Sequence, residues 1–248
     1  MVEQLTIIEM FITLILSIIL PLFLMLYLLV SKKIKAKSLI IGASGFLLTQ
    51  FCVVSPMLTM LKKISFMGNE IISVFVSAII IAGVDVLYTW WTFRYLLKTS
   101  KNRKNAISFG FGRGIMECFI GTGMATISNI SLSLAISDGS IYKMTEISKE
   151  SLERIVHVLT TAPGYIYLLS GIQSLCYILL YIIMSIFVLY AILKKDKKMA
   201  VKAFLIVYII RLGSSLLSSF STILTMIFIL SLTVYGIVFL KKIMQQRS

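Results

Sequence analysis

Long apolar stretches alternate with short basic loops along this chain. Seven of the stretches, at roughly 5–30, 38–61, 71–97, 107–136, 166–193, 200–220 and 221–240, are long enough to cross a bilayer. A hydrocarbon core about 30 Å thick takes about 20 apolar residues in a helix. The pattern predicts an all-α, polytopic membrane helical bundle that forms one integral-membrane domain over residues 1–248. The last two spans are close enough to make a tight helical hairpin around Ser218–Thr222.

One connecting segment differs from the others. Between the fourth and fifth spans, Ile141, Met144, Ile147, Leu152, Ile155, Val156 and Leu159 recur at helical spacing beside Lys143, Lys149, Glu150, Glu153 and Arg154. That pattern predicts a short amphipathic helix lying at the membrane interface. Pro163 and Gly164 end it and open the fifth span. His157, the chain's single histidine, falls on this helix with no second ligand near it in sequence and reads as a surface residue.

Charge fixes an expected orientation. Lys32, Lys33, Lys35 and Lys37 follow the first span, Lys98, Lys101, Arg103 and Lys104 the third, and Lys194, Lys195, Lys197, Lys198 and Lys202 the fifth. The tail adds Lys241, Lys242 and Arg247, while the alternate loops are mixed or uncharged. Under the positive-inside rule the N-terminus faces outward and the C-terminus lies in the cytoplasm. The net charge of +14 therefore points to anionic headgroups of the bilayer as partners rather than to nucleic acid, and an apolar fraction of 58% leaves no soluble domain to carry a nucleic-acid site. Cys52, Cys118 and Cys176 lie inside spans without CxxC or Cys/His spacing, so neither disulfides nor a thiolate zinc site is expected. With Glu3 near its start, no basic leader and no small-residue cleavage site, the first span is expected to be retained.

Four charges fall inside spans: Asp85 in the third, Arg113 and Glu117 in the fourth, and Arg211 in the sixth. Such groups are costly in hydrocarbon unless they pair or face water, which makes this intramembrane charge cluster the candidate functional site. Two acids and two arginines sum to zero. Arg113 and Glu117 are four residues apart and share a helical face, which Asp85 could close from a neighbouring helix. Around them the sequence FGFGRGIMECFIGTG carries Gly110, Gly112, Gly114, Gly121 and Gly123, small residues that let helices approach closely.

This stretch resembles the YhfC-type intramembrane metalloproteases of bacteria, relatives of the wider CPBP (CAAX protease and bacteriocin-processing) proteins, whose hallmark is G-x-G-H-G-x-x-E on a membrane helix. IGASGFLLTQFCVVSPMLTML is similar to the family's second helix, FRYLLKTSKNRKNAISFGFG to the approach to its hallmark helix, and LLSGIQSLCYILLYIIMSIFVLYA to a later segment. The order of these segments carries the resemblance, which runs through most of the chain. It implies Glu117 and Asp85 as the family-equivalent catalytic candidates.

The chain departs from the pattern where the chemistry would be. The hallmark histidine falls at Arg113, the E-R pair of the later segment at Gln173 and Ser174, the following histidine at Tyr181, and the last histidine region at Val207, Tyr208 and Arg211. In the third span, paired glutamates followed by an arginine give way to Asp85 and Val86, then Tyr88, Thr89 and Trp90. A catalytic zinc takes about three protein ligands with lone pairs, and a guanidinium has none to give. The expectation is therefore no cofactor and no metal, and a non-proteolytic protein that binds a membrane peptide or a transporter partner through the former active-site cavity. Two alternatives stay open: an active intramembrane protease with a divergent site, which alone would need zinc, and a transporter-associated permease or immunity protein.

Overall fold

The computed structural model describes residues 2–143 and 148–245. Among them seven helices are long and apolar enough to cross a membrane. They are α1 (Gln4–Val30), α2 (Ala36–Leu61), α3 (Glu70–Leu96), α4 (Arg103–Ser137), α6 (Tyr165–Lys194), α7 (Lys197–Ser218) and α8 (Thr222–Gln245). The amphipathic helix is α5 (Lys149–Thr161).

Local chemistry sets the ends. Asn69 caps α3 by accepting from the Ile71 and Ile72 amides, and Asp196 caps α7 by accepting from Lys198. Asn102 accepts from the Asn105 amide at 2.9 Å, which lets α4 begin at Arg103, a turn earlier than hydropathy alone suggests. The last two spans do form a hairpin, turning within three residues after Ser218.

A proline has no amide hydrogen to donate and its ring displaces the carbonyl four residues back. Wide π-helical turns absorb this upstream of Pro21, at Ile15–Ile19, and upstream of Pro56, at Leu48–Val54. Around and past Pro56, α2 has no buried residue from Ser55 to Leu61, so its last two turns lean away from the bundle.

The longest span, α4, runs between α2 and α6 and meets both nearly backbone to backbone. A Cβ built on Gly42 of α2 would strike the Phe109 carbonyl, and one on Gly112 would strike that of Leu39. On the other side, a Cβ at Gly110 or Gly114 would lie 2.6 Å from the Cα of Ile182 or Ile178 in α6. Ser38 Oγ donates to Asn105 Oδ1 at 2.7 Å, and the Lys35 amide donates to Ser108 Oγ at 2.8 Å, pinning the start of α2 to the start of α4. Burial is deepest along α6, where Ile183, Met184, Ile186, Phe187, Val188 and Leu189 meet α7 and α8.

The basic loops share one face of this antiparallel bundle, and the N-terminus, α5 and the α7–α8 turn lie on the other. On that second face Leu159 of α5 is buried with Val2, Met10, Ile130 and Ile136, while Leu152, Ile155 and Val156 are packed against the same cluster. The apolar side of α5 thus seats on α1 and α4. Met144 and Ile147, two positions of the expected amphipathic pattern, lie outside the described residues.

Candidate functional site

Each of the four interior charges sits at least seven helical residues, about 10 Å, from the nearest end of its span. The fold brings them together from three helices as two adjoining ion pairs. Arg113 and Glu117 do share a face of α4, but each takes its partner from elsewhere.

Arg113 is fully buried and its Nη2 is paired with Asp85 of α3. The same nitrogen donates to Thr49 Oγ1 on α2 at 3.3 Å. The guanidinium carbon lies 5.4 Å from the ring centre of Tyr88 and 5.5 Å from that of Tyr181, within range for cation–π attraction. Arg113 Nε and Nη1 have no hydrogen-bond partner, so the aromatic rings are what stand in for solvent around that part of the cation.

Arg211 grips Glu117 as a fork, with Nη1 to Oε1 at 2.7 Å and Nη2 to Oε2 at 3.0 Å. A planar guanidinium matches a carboxylate in this bidentate way, which a lysine cannot reproduce. Nη2 also donates to Tyr181 Oη at 2.6 Å and lies 3.6 Å from Asp85 Oδ2. Tyr181 Oη donates in turn to Asp85 Oδ2 at 3.4 Å, so one phenol bridges both pairs. Tyr177, one turn back on α6, adds its ring 5.4 Å from the Arg211 guanidinium.

The two pairs differ in access. The side chains of Arg113 and Asp85 are 0% and 4% exposed, whereas those of Arg211 and Glu117 are 15% and 18% exposed and line cavities. One cavity of about 230 Å³ lies between α4 and α6, bordered by Glu117, Thr122, Asn129, Tyr167, Ser170 and Ser174. A second, of about 470 Å³, lies where the end of α2 leans away, between Gln50, Ser55 and Thr59 of α2, Lys62 just past it, and Glu117 and Gly121 of α4. A third, of about 300 Å³, joins Arg211 and Tyr177 to Gln173, Ser77, Ser214 and Ser218. All three extend from the ion pair toward the face that carries α5.

Among the described residues no three His, Cys, Asp or Glu side chains come together as a metal site would require. His157 is on α5, and Cys118, next to Glu117, donates its thiol to the Ser174 carbonyl at 2.9 Å. Gln173 donates to Tyr177 Oη at 3.4 Å and stands at the edge of the third cavity.

In the sequence the four charges stand out as ionisable groups inside apolar spans, Thr49 and Tyr177 do not, and Tyr88 and Tyr181 stand out only as departures from the family pattern. Tyr177 and Tyr181 are four residues apart and so share a helical face, a spacing visible in the sequence.

The family model described as "YhfC intramembrane metalloprotease" matches residues 16–234, a range that contains every residue of the site. The chain belongs to the YhfC family. A curated relative, "Uncharacterized membrane protein YhfC" of Bacillus subtilis (strain 168), is 31% identical over 101 residues, covering 40% of this chain. The chain thus spans 39% of the length of that YhfC relative. No solved structure matches it.

Proposed function

We propose that this chain is a non-proteolytic member of the YhfC family that binds a membrane partner, a peptide or a transporter subunit, through the cavities around Glu117. The observation that carries the reading is the fork of Arg211 on Glu117, at 2.7 and 3.0 Å. It occupies both oxygens of the glutamate that the family pattern would reserve for chemistry. Arg113 pairs with one oxygen of Asp85 while Tyr181 and Arg211 face the other, so both carboxylates already face a fixed cation.

The donor set does not fit a catalytic zinc. Beside the two acids stand two guanidiniums without lone pairs, the three tyrosines Tyr88, Tyr177 and Tyr181, and a threonine, where three ligands and an open position would be needed. No hydrolytic step is therefore assigned to the site.

Elemental analysis of protein purified without chelator tests this reading, and far less than one zinc per chain is expected. A content near one per chain that is lost in Glu117→Gln would revive the protease. Purification from cells after photo-cross-linking from position 129, at the far end of the α4–α6 cavity, should yield one defined membrane partner. A cavity that captures only lipid would remove the binding reading.

The proposed setting is a bacterial plasma membrane with the N-terminus outside and the basic face in the cytoplasm against anionic headgroups. Cysteines placed at positions 68 and 149 should react with an impermeant thiol reagent added to sealed cells, while those at 101 and 197 stay protected. Labelling at 101 would invert the arrangement.

A further inference from the structure

Five glycines lie along α4, and four have a neighbour where a side chain would go. Gly110 and Gly114 face the α6 backbone, Gly112 faces α2, and a Cβ on Gly123 would lie 2.7 Å from Ile18 Cγ1. Gly121 differs, with nothing within 4 Å of its would-be Cβ. No left-handed conformation calls for glycine there either, since Gly139 is the positive-φ glycine among the described residues. A glycine inside a helix costs about 1 kcal/mol relative to alanine. Gly121 is exposed and no packing contact repays that cost, so the space itself is what the residue supplies.

That space has a location. Gly121 and Glu117 border both the cavity between α4 and α6 and the cavity beside the leaning end of α2. The wide turns at Cys118–Gly123 put this junction one turn above the Arg211 fork. We infer that Gly121 is the saddle of one continuous passage across α4, and that its missing side chain selects an extended polypeptide segment as occupant.

The lining favours a main chain over an acyl chain. Along the α4–α6 side, Thr122, Asn129 and Tyr167 offer two hydroxyls and an amide beside Glu117, while the Ser170 hydroxyl already donates to the Tyr167 carbonyl. An extended backbone presents a donor or an acceptor at each step and can match them, whereas a lipid tail would leave them unsatisfied. Close approach of a backbone is also the usual reason for glycine at a binding surface. This deepens the binding reading above and specifies the form of its ligand.

Two measurements test the passage and its occupant separately. In a background with Cys52, Cys118 and Cys176 replaced by alanine, cysteines at Ser55 and Ser170 are joined with a flexible bis-maleimide. Cross-linking is expected with Gly121 and lost in Gly121→Leu, while each cysteine alone still reacts with N-ethylmaleimide and the melting temperature of Gly121→Leu is unchanged or higher. Persistent cross-linking, or a Gly121→Ala variant that melts lower, would overturn the saddle. A pool of short alanine- and leucine-rich peptides carrying a photoreactive diazirine should label the wild type and not Gly121→Leu. A diazirine fatty acid should label both equally. Loss of fatty-acid labelling alone would overturn the peptide assignment, and a cross-linkable passage that no peptide labels would sink the peptide-binding reading while leaving the saddle standing.

Discussion

Arg113→Met is expected to destabilise the purified protein by about 3–5 kcal/mol, the range for stranding one member of a buried ion pair. Asp85 is 3% exposed, and in the mutant it would keep a 3.6 Å contact to Arg211 that is already committed to Glu117. Replacing both partners by apolar side chains, as in Arg113→Met with Asp85→Leu, should recover most of the loss, because the desolvation cost disappears with the charges. The coupling would appear as a double-mutant melting temperature, measured in detergent, above that of either single variant. Arg113→Lys should not substitute for arginine, since a compact, strongly hydrated ammonium is less suited than a guanidinium to the buried site between the Tyr88 and Tyr181 rings. Simple additivity of the two substitutions would show that the pair is not a unit. The corresponding cycle on Arg211 and Glu117 should give smaller single-site losses, because those side chains are 15% and 18% exposed rather than sealed.

Leucine at Gly114 should do comparable damage by a different route. Its Cβ would lie 2.6 Å from the Cα of Ile178, and backbone cannot yield as a side-chain tip can. Overpacking of this kind costs about 1–3 kcal/mol and occasionally more. Here it also separates α4 from α6 next to Arg113 and pulls Tyr181 away from both ion pairs. Size-exclusion chromatography in mild detergent should show Gly114→Leu lost from the monodisperse peak, with Gly114→Ala intermediate. Equal stability of Gly114→Leu and Gly121→Leu would contradict the packing described for α4.

Hydropathy made the seven spans legible because each helix must carry its own apolar surface into lipid. The four interior charges were legible for the complementary reason, that each is an exception to that rule. The pairings were not. Arg113 meets Asp85 across 28 residues of sequence and Arg211 meets Glu117 across 94, and neither composition nor spacing encodes which acid a cation reaches. The α4 glycines read alike in sequence, yet only the fold separates those pressed against backbone from Gly121. Tyr181 was visible as a residue out of pattern, but its role as the bridge between pairs depends on α3, α4, α6 and α7 meeting at one depth.

The zero sum of the cluster has an electrical consequence. A charge carried across the full membrane potential changes energy by about 2.3 kcal/mol per 100 mV. Two arginines and two carboxylates moving together carry no net charge through that field, so voltage does no work on the site as a rigid body. Drawing Arg211 away from Glu117 along the membrane normal would separate opposite charges and make the field count. The paired arrangement is therefore electrically silent, and only its opening would be sensed by the membrane voltage.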